Sequence, residues 1–283
     1  MIEVRRFDGK VVLITGVARG QGRSHAVKFA QDGASIVGLD IVQAIPTVAY
    51  AGATPDDLAE TQRLIDQAGG KSIIVQGDVR DQSAVDKLVQ DALKTFGRID
   101  IVLPQAGITS IGLLWELSEQ HWDEMIGINL TGVWRTLRAA IPPMIERKAG
   151  GSIVMTGSIA GLAGMPNAAH YAATKHGVNG MVKSLANELA PHRIRVNSVN
   201  PTNVATPMIL DPAVYRFFRP DLENPGKEDA MAPFKSFILL DQPWVEAEEV
   251  SDAVLWLCSE EARSVTGVQL PIDAGTLVKW PGA

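Results

Sequence analysis

Seven short β-rich runs, separated by longer helical stretches, leave this chain few ways to fold. The runs are Lys10–Thr15, Ser35–Leu39, Ser72–Gln76, Ile99–Leu103, Gly151–Thr156, Arg195–Val199 and Val268–Ile272. Between them the apolar spacing predicts helices over Gln21–Gln31, Asp57–Gln67, Gln82–Thr95, Ser118–Ile141, Ala168–Leu189 and Ala247–Leu257. Strands that alternate with helices pair in parallel, and the helices cover both faces of the sheet. Right-handed crossovers make such a sheet doubly wound. No repeat, low-complexity run or linker divides the 283 residues. One domain over 1–283 is therefore expected.

The first strand runs into Thr15-Gly16-Val17-Ala18-Arg19-Gly20-Gln21-Gly22, which opens the first helix. Glycines there permit a sharp turn and a close approach of backbone to a pyrophosphate. The helix N-terminus offers free N–H groups and a positive dipole end to the anion. A glycine-rich string alone is also what a plain turn shows; the strand before and the helix after make this one a dinucleotide site. The fold expected is thus α/β, a single doubly wound Rossmann-type domain with a seven-stranded parallel sheet. Asp40 ends the second strand, twenty residues beyond Gly20, where a carboxylate can accept from an adenosine ribose and repel a 2′-phosphate. That argues for NAD over NADP, although Arg19 inside the turn is a residue that can meet a phosphate. Asp78 and Val79 close the third strand, where adenine would sit. Ala106 and Gly107 follow the fourth, where small residues let a cofactor lie close.

Tyr171-Ala-Ala-Thr-Lys175 lies on the helix expected over Ala168–Leu189, with Ser158 thirteen positions upstream. Residues i and i+4 share a helix face. An ammonium beside a phenol favours the phenolate, which makes a proton acceptor of a group whose ordinary pKa is about 10. Ser158 would orient a substrate hydroxyl or carbonyl beside it. Taken alone, a Tyr and a Lys at this spacing also describe a solvated helix face.

Two connections exceed the usual few residues. Ile41 to Asp56 follows the second strand. Thr206 to Trp244 follows the sixth and carries Tyr215, Phe217, Phe218, Phe234, Phe237 and Trp244. Both leave the C-terminal edge of the sheet, where ligands bind in such folds. The aromatic stretch suggests an apolar substrate, though its rings would equally pack the loop onto the domain or a neighbour. Met208 and Ile209 are the expected substrate contacts, with Trp115 and Met165 behind them.

With 26 basic and 32 acidic residues, net −6, the chain offers no basic surface for nucleic acid and no polybasic membrane anchor. No apolar run approaches the roughly 18 residues that span a bilayer, and Met1–Lys10 lacks a signal-like apolar core. The single Cys258, in an apolar helical stretch, is expected in the core and fits a cytoplasmic setting. The five histidines form no metal-ligand pattern, so no metal is expected.

Taken together, TGxxxGxG at 15–22, Asp40, Asp78-Val79, Ala106-Gly107, Asn129 in Ile-Asn-Leu-Thr-Gly, Ser158, YxxxK at 171–175, and Pro201 with Thr206 resemble the short-chain dehydrogenase/reductase family from Gly9 to about Gly275. The resemblance implies Tyr171 as the catalytic acid/base and Lys175 as the residue that tunes it and contacts the nicotinamide ribose. It implies Ser158 on the substrate oxygen, Asn129 holding a water in a proton relay, and Val204 and Thr206 at the carboxamide. Gly16, Arg19, Gly20, Gln21, Gly22, Asp40, Ile41, Asp78, Val79, Ala106, Gly107 and Pro201 would complete the cofactor contacts. Two departures stand out: Pro104-Gln105 where the family commonly has two asparagines, and Thr202 after Pro201 where it commonly has glycine.

The start TGxARGQGR, Thr15 to Arg23, and the insertion after Asp40 are similar to the carveol-dehydrogenase-like, mycofactocin-coupled branch. That resemblance implies an insertion that covers a slowly exchanging NAD, with electrons leaving through a separate peptide-derived redox cofactor. It also implies a homotetramer. The apolar Ile141, Met144, Val178, Met181 and Leu185 on the two long helices suggest interfaces. The leading expectation is an NAD-dependent oxidoreductase interconverting a secondary alcohol and a ketone, on an apolar, terpenoid- or sterol-like substrate. The alternatives are an NADPH-dependent carbonyl reductase of the acyl-chain or polyketide type, which Asp40 opposes, and a non-catalytic NAD-sensing protein.

Overall fold

The computed structural model describes residues 5–280. The outermost residues of the stretch 1–283, including the first four of Met1–Lys10, lie outside the described residues. Seven strands, β1 (Val11–Thr15), β2 (Ser35–Asp40), β3 (Ser72–Gln76), β4 (Ile101–Pro104), β5 (Gly151–Thr156), β6 (Ile194–Pro201) and β7 (Gln269–Ile272), form one sheet in the order β3-β2-β1-β4-β5-β6-β7. Every pairing is parallel. The order reverses between β1 and β4, so the C-terminal ends of these two strands flank a crevice.

The strand period of two divides the core. Val11 and Leu13 of β1 face one cluster, and Val12 and Ile14 face the other. The first is closed by α3 (Gln82–Phe96), α5 (Gly132–Glu146) and α6 (Ala169–Leu189), through Leu88, Leu137 and Val182. The second is closed by α1 (Gly20–Gln31), α2 (Pro55–Gln67) and α9 (Ala247–Cys258), through Phe29, Ile65 and Val254. Each fully buried Leu or Ile contributes about 1.5–3 kcal/mol relative to exposure, so two such clusters fix the strand register on both faces.

Helix ends depart from the sequence reading where local chemistry overrides periodicity. α2 starts at Pro55 rather than Asp57, because Thr54 and Asp57 form a reciprocal capping box and Pro55 occupies the first turn. The single helix expected over Ser118–Ile141 is broken. α4 (Glu119–Ile126) passes into a π-helical turn, Gly127–Thr131, before α5. There Gly132 N donates to Gly127 O, and Asn129 is turned fully inward. α5 then runs through Pro142 and Pro143 to Glu146, one turn past the expected end. The long segment after β6 folds into α7 (Pro212–Phe218) and α8 (Lys227–Ser236). Its aromatics make a small core of their own, with Phe234 4.7 Å from Phe218 and 6.2 Å from Trp244, edge to face. Met144 and Val178, expected on subunit interfaces, belong instead to the main core, and Ile141, Met181 and Leu185 pack against it. Trp122 and Trp134 are the exposed apolar side chains of α4 and α5.

Carbonyls of Val268 and Ile272 accept from Ser198 N and Thr202 N of the β6 side at 2.9 and 3.2 Å. Gln269 and Pro271, between them, therefore face away from the sheet. Cys258 is partly buried, and burial pushes its thiol up to about 12.

His25 of α1 is buried against α9, with Nδ1 2.7 Å from Ser251 Oγ. Burial lowers its pKa to about 4. The unfolded chain takes up this proton near pH 6.5 and the folded one only near 4, so stability is full above pH 6.5 and falls as pH drops toward 4. The shift corresponds to roughly 3 kcal/mol. Urea unfolding at pH 7 and 4.5 should show this loss, and a His25→Gln variant should show a correspondingly shallower pH slope.

Candidate active site

The turn after β1 is shaped by what its glycines exclude. Gly16 has φ +72°, and a Cβ there would lie 2.8 Å from Ala106 Cα. A Cβ on Gly22 would lie 2.0 Å from Gly16 O. The turn and the end of β4 are joined by Thr15 Oγ1, which accepts from Gln105 N at 3.2 Å and Ala106 N at 3.1 Å. α1 begins at Gly20 with no side-chain cap. Its first N–H groups therefore face the crevice with their donors uncommitted to a capping side chain. Gln21 Oε1 is buried there without a partner among the described residues. Backbone stripped of Cβ atoms, an uncapped helix start and an orphaned amide oxygen fit the phosphates of a dinucleotide.

Gly16, Arg19, Gly20, Gln21, Gly22, Asp40, Ile41, Asp78, Val79, Ala106, Gly107, Thr206 and Met208 all line this one crevice. Asp40 is buried at the end of β2 and accepts from Ala18 N at 2.9 Å and Val42 N at 3.2 Å. Asp78 is held by Arg80, whose Nη2 lies 2.7 Å from Oδ2. Pro201, Val204 and Ile209 are not among the lining residues, and neither are Asn129, Ser158, Tyr171 and Lys175. Pro201 ends β6 outside the lining. Val204 turns into the core shared with α9 and pairs with Val245. Ile209 packs against the aromatic cluster of α7 and α8. Trp115 and Met165 stand exposed.

The insertion crosses the crevice as a strap. Gln43, Ile45, Val48, Tyr50, Gly52 and Ala53 face into it. Arg19, which lines the crevice, donates to the carbonyls of Ala51 and Gly52, at 3.2 Å for the latter. On the other side Thr47 N and Oγ1 donate to Glu124 of α4. Val42, at the root of the strap, has φ +51°. A β-branched residue in that region is strained and persists only where its surroundings impose it.

The crevice meets the expected catalytic group at Gly107, whose Cβ position lies 3.4 Å from Asn129 Oδ1 and 3.7 Å from Lys175 Nζ. Tyr171 and Lys175 share one face of α6, with Nζ 5.6 Å from the phenol ring centroid. Nζ donates to Thr156 O at 2.8 Å. Burial pushes the Tyr171 phenol above its ordinary value, partly offset by a hydrogen bond with Ser158. Burial also lowers Lys175 to about 8. The protein alone thus holds Tyr171 as a neutral phenol: desolvation outweighs the depression expected from its neighbour. Asn129 bonds Ile108 at both ends, accepting from N and donating to O, each at 2.8 Å. Its side chain pins the segment after β4.

Sequence reasoning missed the scaffold behind these groups. Asn200 Oδ1 accepts from Ser158 N at 3.2 Å and from Asn179 Nδ2 at 2.8 Å. Ser198 Oγ donates to Asn179 Oδ1 at 2.8 Å. A buried polar network therefore ties the Ser158 segment to α6, which carries Tyr171 and Lys175. The signal was present as Asn197-Ser198-Val199-Asn200, polar residues within an apolar strand. His170 is buried, with Nε2 2.8 Å from Ser110 Oγ, and does not point to solvent.

Residues 16–276 match the family model described as enoyl-(acyl carrier protein) reductase. The chain is 48% identical over 275 residues to (-)-trans-carveol dehydrogenase of Rhodococcus erythropolis, covering 97% of this chain and 99% of the relative. It superimposes on the crystal structure of carveol dehydrogenase from Mycobacterium avium in complex with NAD with a TM-score of 0.95, at 47% identity over 97% of this chain and 99% of that one. A short chain dehydrogenase from Mycobacterium paratuberculosis bound to NAD matches with a TM-score of 0.87, at 37% identity over 96% and 98%. On near-complete coverage by sequence and by structure alike, the chain belongs to the short-chain dehydrogenase/reductase family.

Proposed function

We propose that the chain is an NAD-dependent oxidoreductase interconverting a secondary alcohol and a ketone, with NAD held tightly beneath the strap. One observation carries this reading: Tyr171 and Lys175, with Ser158 beside the phenol, come together behind Gly107, which lines a crevice that also has a buried carboxylate, Asp40, among its lining residues. Bound nicotinamide would supply or accept the hydride. The chain's own groups handle the proton. In ketone reduction Tyr171, a neutral phenol, donates its proton to the substrate oxygen, which Ser158 orients. Lys175 then lies close enough to stabilise the phenolate. Alcohol oxidation runs the same transfer backwards. Tyr171, Lys175, Gly16 to Gly22, Asp40 and Thr206 would hold the cofactor.

The carveol dehydrogenases among its relatives support a cyclic terpenoid alcohol as substrate. Met208 would meet it at the crevice mouth. The resemblance to the family supports a homotetramer, the lone cysteine a cytoplasmic setting, and the resemblance to the carveol-dehydrogenase-like branch a mycofactocin-type electron acceptor. Denaturing the purified protein tests the tight-binding component: stoichiometric release of NAD or NADH is expected. An empty protein that turns over freely with added NAD would overturn that component.

Asp40 sets the expected cofactor choice. Its buried carboxylate opposes a 2′-phosphate, and such like-charge contacts cost several kcal/mol. NAD should therefore bind at least about 100-fold tighter than NADP, as read by calorimetry on protein freed of its bound nucleotide. Equal affinities would remove the case against the NADPH-dependent reductase.

A further inference from the structure

The strap brings one buried polar side chain into the crevice. Tyr50 lines it at 8% exposure. Its oxygen accepts from Thr109 N at 3.2 Å, and its own proton has no acceptor among the described residues. A buried hydroxyl that accepts without donating is incomplete. Burial raises the phenol far above its ordinary value, so it stays a neutral donor.

The position of Tyr50 along the crevice limits what can complete it. Thr109 lies two residues beyond Gly107, whose Cβ position is 3.7 Å from Lys175 Nζ. The charge of Tyr171 raises the Tyr50 phenol and that of Arg19 lowers it, so both groups lie within electrostatic reach of it. Through Thr109 the hydroxyl stands beside the segment after β4 that also carries Gly107, next to the Lys175 ammonium. Its backbone is fixed on both sides. The carbonyls of Ala51 and Gly52 are held by Arg19, and Thr47 is held by Glu124. A donor positioned this way needs no reordering to meet an acceptor.

We propose that the Tyr50 hydroxyl donates a hydrogen bond to the nicotinamide-side half of the bound dinucleotide, at a ribose hydroxyl or the adjoining phosphate oxygen. The strap then recognises the half of the cofactor that bears the reactive ring, beyond simply covering it. This rests on the NAD reading above. Tyr50→Phe keeps the ring and removes only the donor. Calorimetric titration of protein freed of its bound nucleotide, with two probes, separates the possibilities: ADP-ribose, which carries the second phosphate and ribose, and AMP, which carries neither. The variant should bind ADP-ribose roughly two- to thirteenfold more weakly than wild type, the span of one neutral hydrogen bond, with AMP affinity unchanged. Unchanged ADP-ribose binding overturns the proposal. So does an equal loss for both probes, which would mean that the phenol only braces the strap. A wild-type protein that binds AMP but gains nothing from ADP-ribose would overturn the nicotinamide reading itself. The other negative outcomes leave that reading standing.

Discussion

Tyr171→Phe should lower turnover by roughly a hundred- to ten-thousandfold, the range for loss of a positioned proton donor, while NAD affinity stays near wild type. The ring of Phe keeps its place under Lys175 Nζ, 5.6 Å away, so packing and the buried ammonium are preserved. What disappears is the hydroxyl that lies beside Ser158 and that the substrate oxygen would meet. Steady-state rates together with calorimetric NAD binding check the split. Retention of most of the rate would move the proton chemistry elsewhere, and His170 next door would be the first group to test. The pH profile gives a second readout. Because burial raises the Tyr171 phenol above its ordinary value, alcohol oxidation in the wild type should accelerate only as pH rises past the usual tyrosine range and the phenol loses its proton. The variant should lack that limb.

Gly22→Ala should cost at least about 100-fold in NAD affinity, or about 2.7 kcal/mol. The added methyl would lie 2.0 Å from Gly16 O and 2.8 Å from Gly16 C. Both are backbone atoms, so no side chain can swing aside, and overpacking of this kind costs about 1–3 kcal/mol even without a ligand. The turn must open, and Gly16 cannot retreat, because its own neighbour is Ala106 Cα. The displacement therefore falls on the surface that would cradle the phosphates. Calorimetry on the purified variant, with thermal unfolding to show that the fold persists, gives the comparison. Wild-type affinity would mean that the phosphates lie elsewhere.

Periodicity and turn chemistry carried most of the architecture. β3 and β5 begin and end as read, because the runs Ser72–Gln76 and Gly151–Thr156 are bounded by glycine and polar residues. The broken helix was not legible. A π turn needs one extra residue and an inward pull, and the pull comes from Ile108, twenty-one residues away, bonding the Asn129 amide. The same holds for Arg19. Its type and place suggested an anion, but the insertion offers it two carbonyls, and nothing local foretells where a fourteen-residue connection returns. Individual residues of the Tyr171 cluster were visible by spacing. Their electrostatics were not, because desolvation depends on what covers the helix. The departure Gln105 also gains a reason in three dimensions: its side chain bonds Thr156, whose carbonyl holds Lys175.

Pro271 has a consequence for how copies of this chain can meet. An open parallel sheet ends in strands whose outer row of amides invites another chain to add on. On the β7 side that row is Gln269 followed by Pro271, and proline has no N–H to give. A second strand laid along this border would find an amide donor at Gln269 and none at Pro271. Chains can therefore associate here through side chains, but the border is a poor seed for runaway fibre growth.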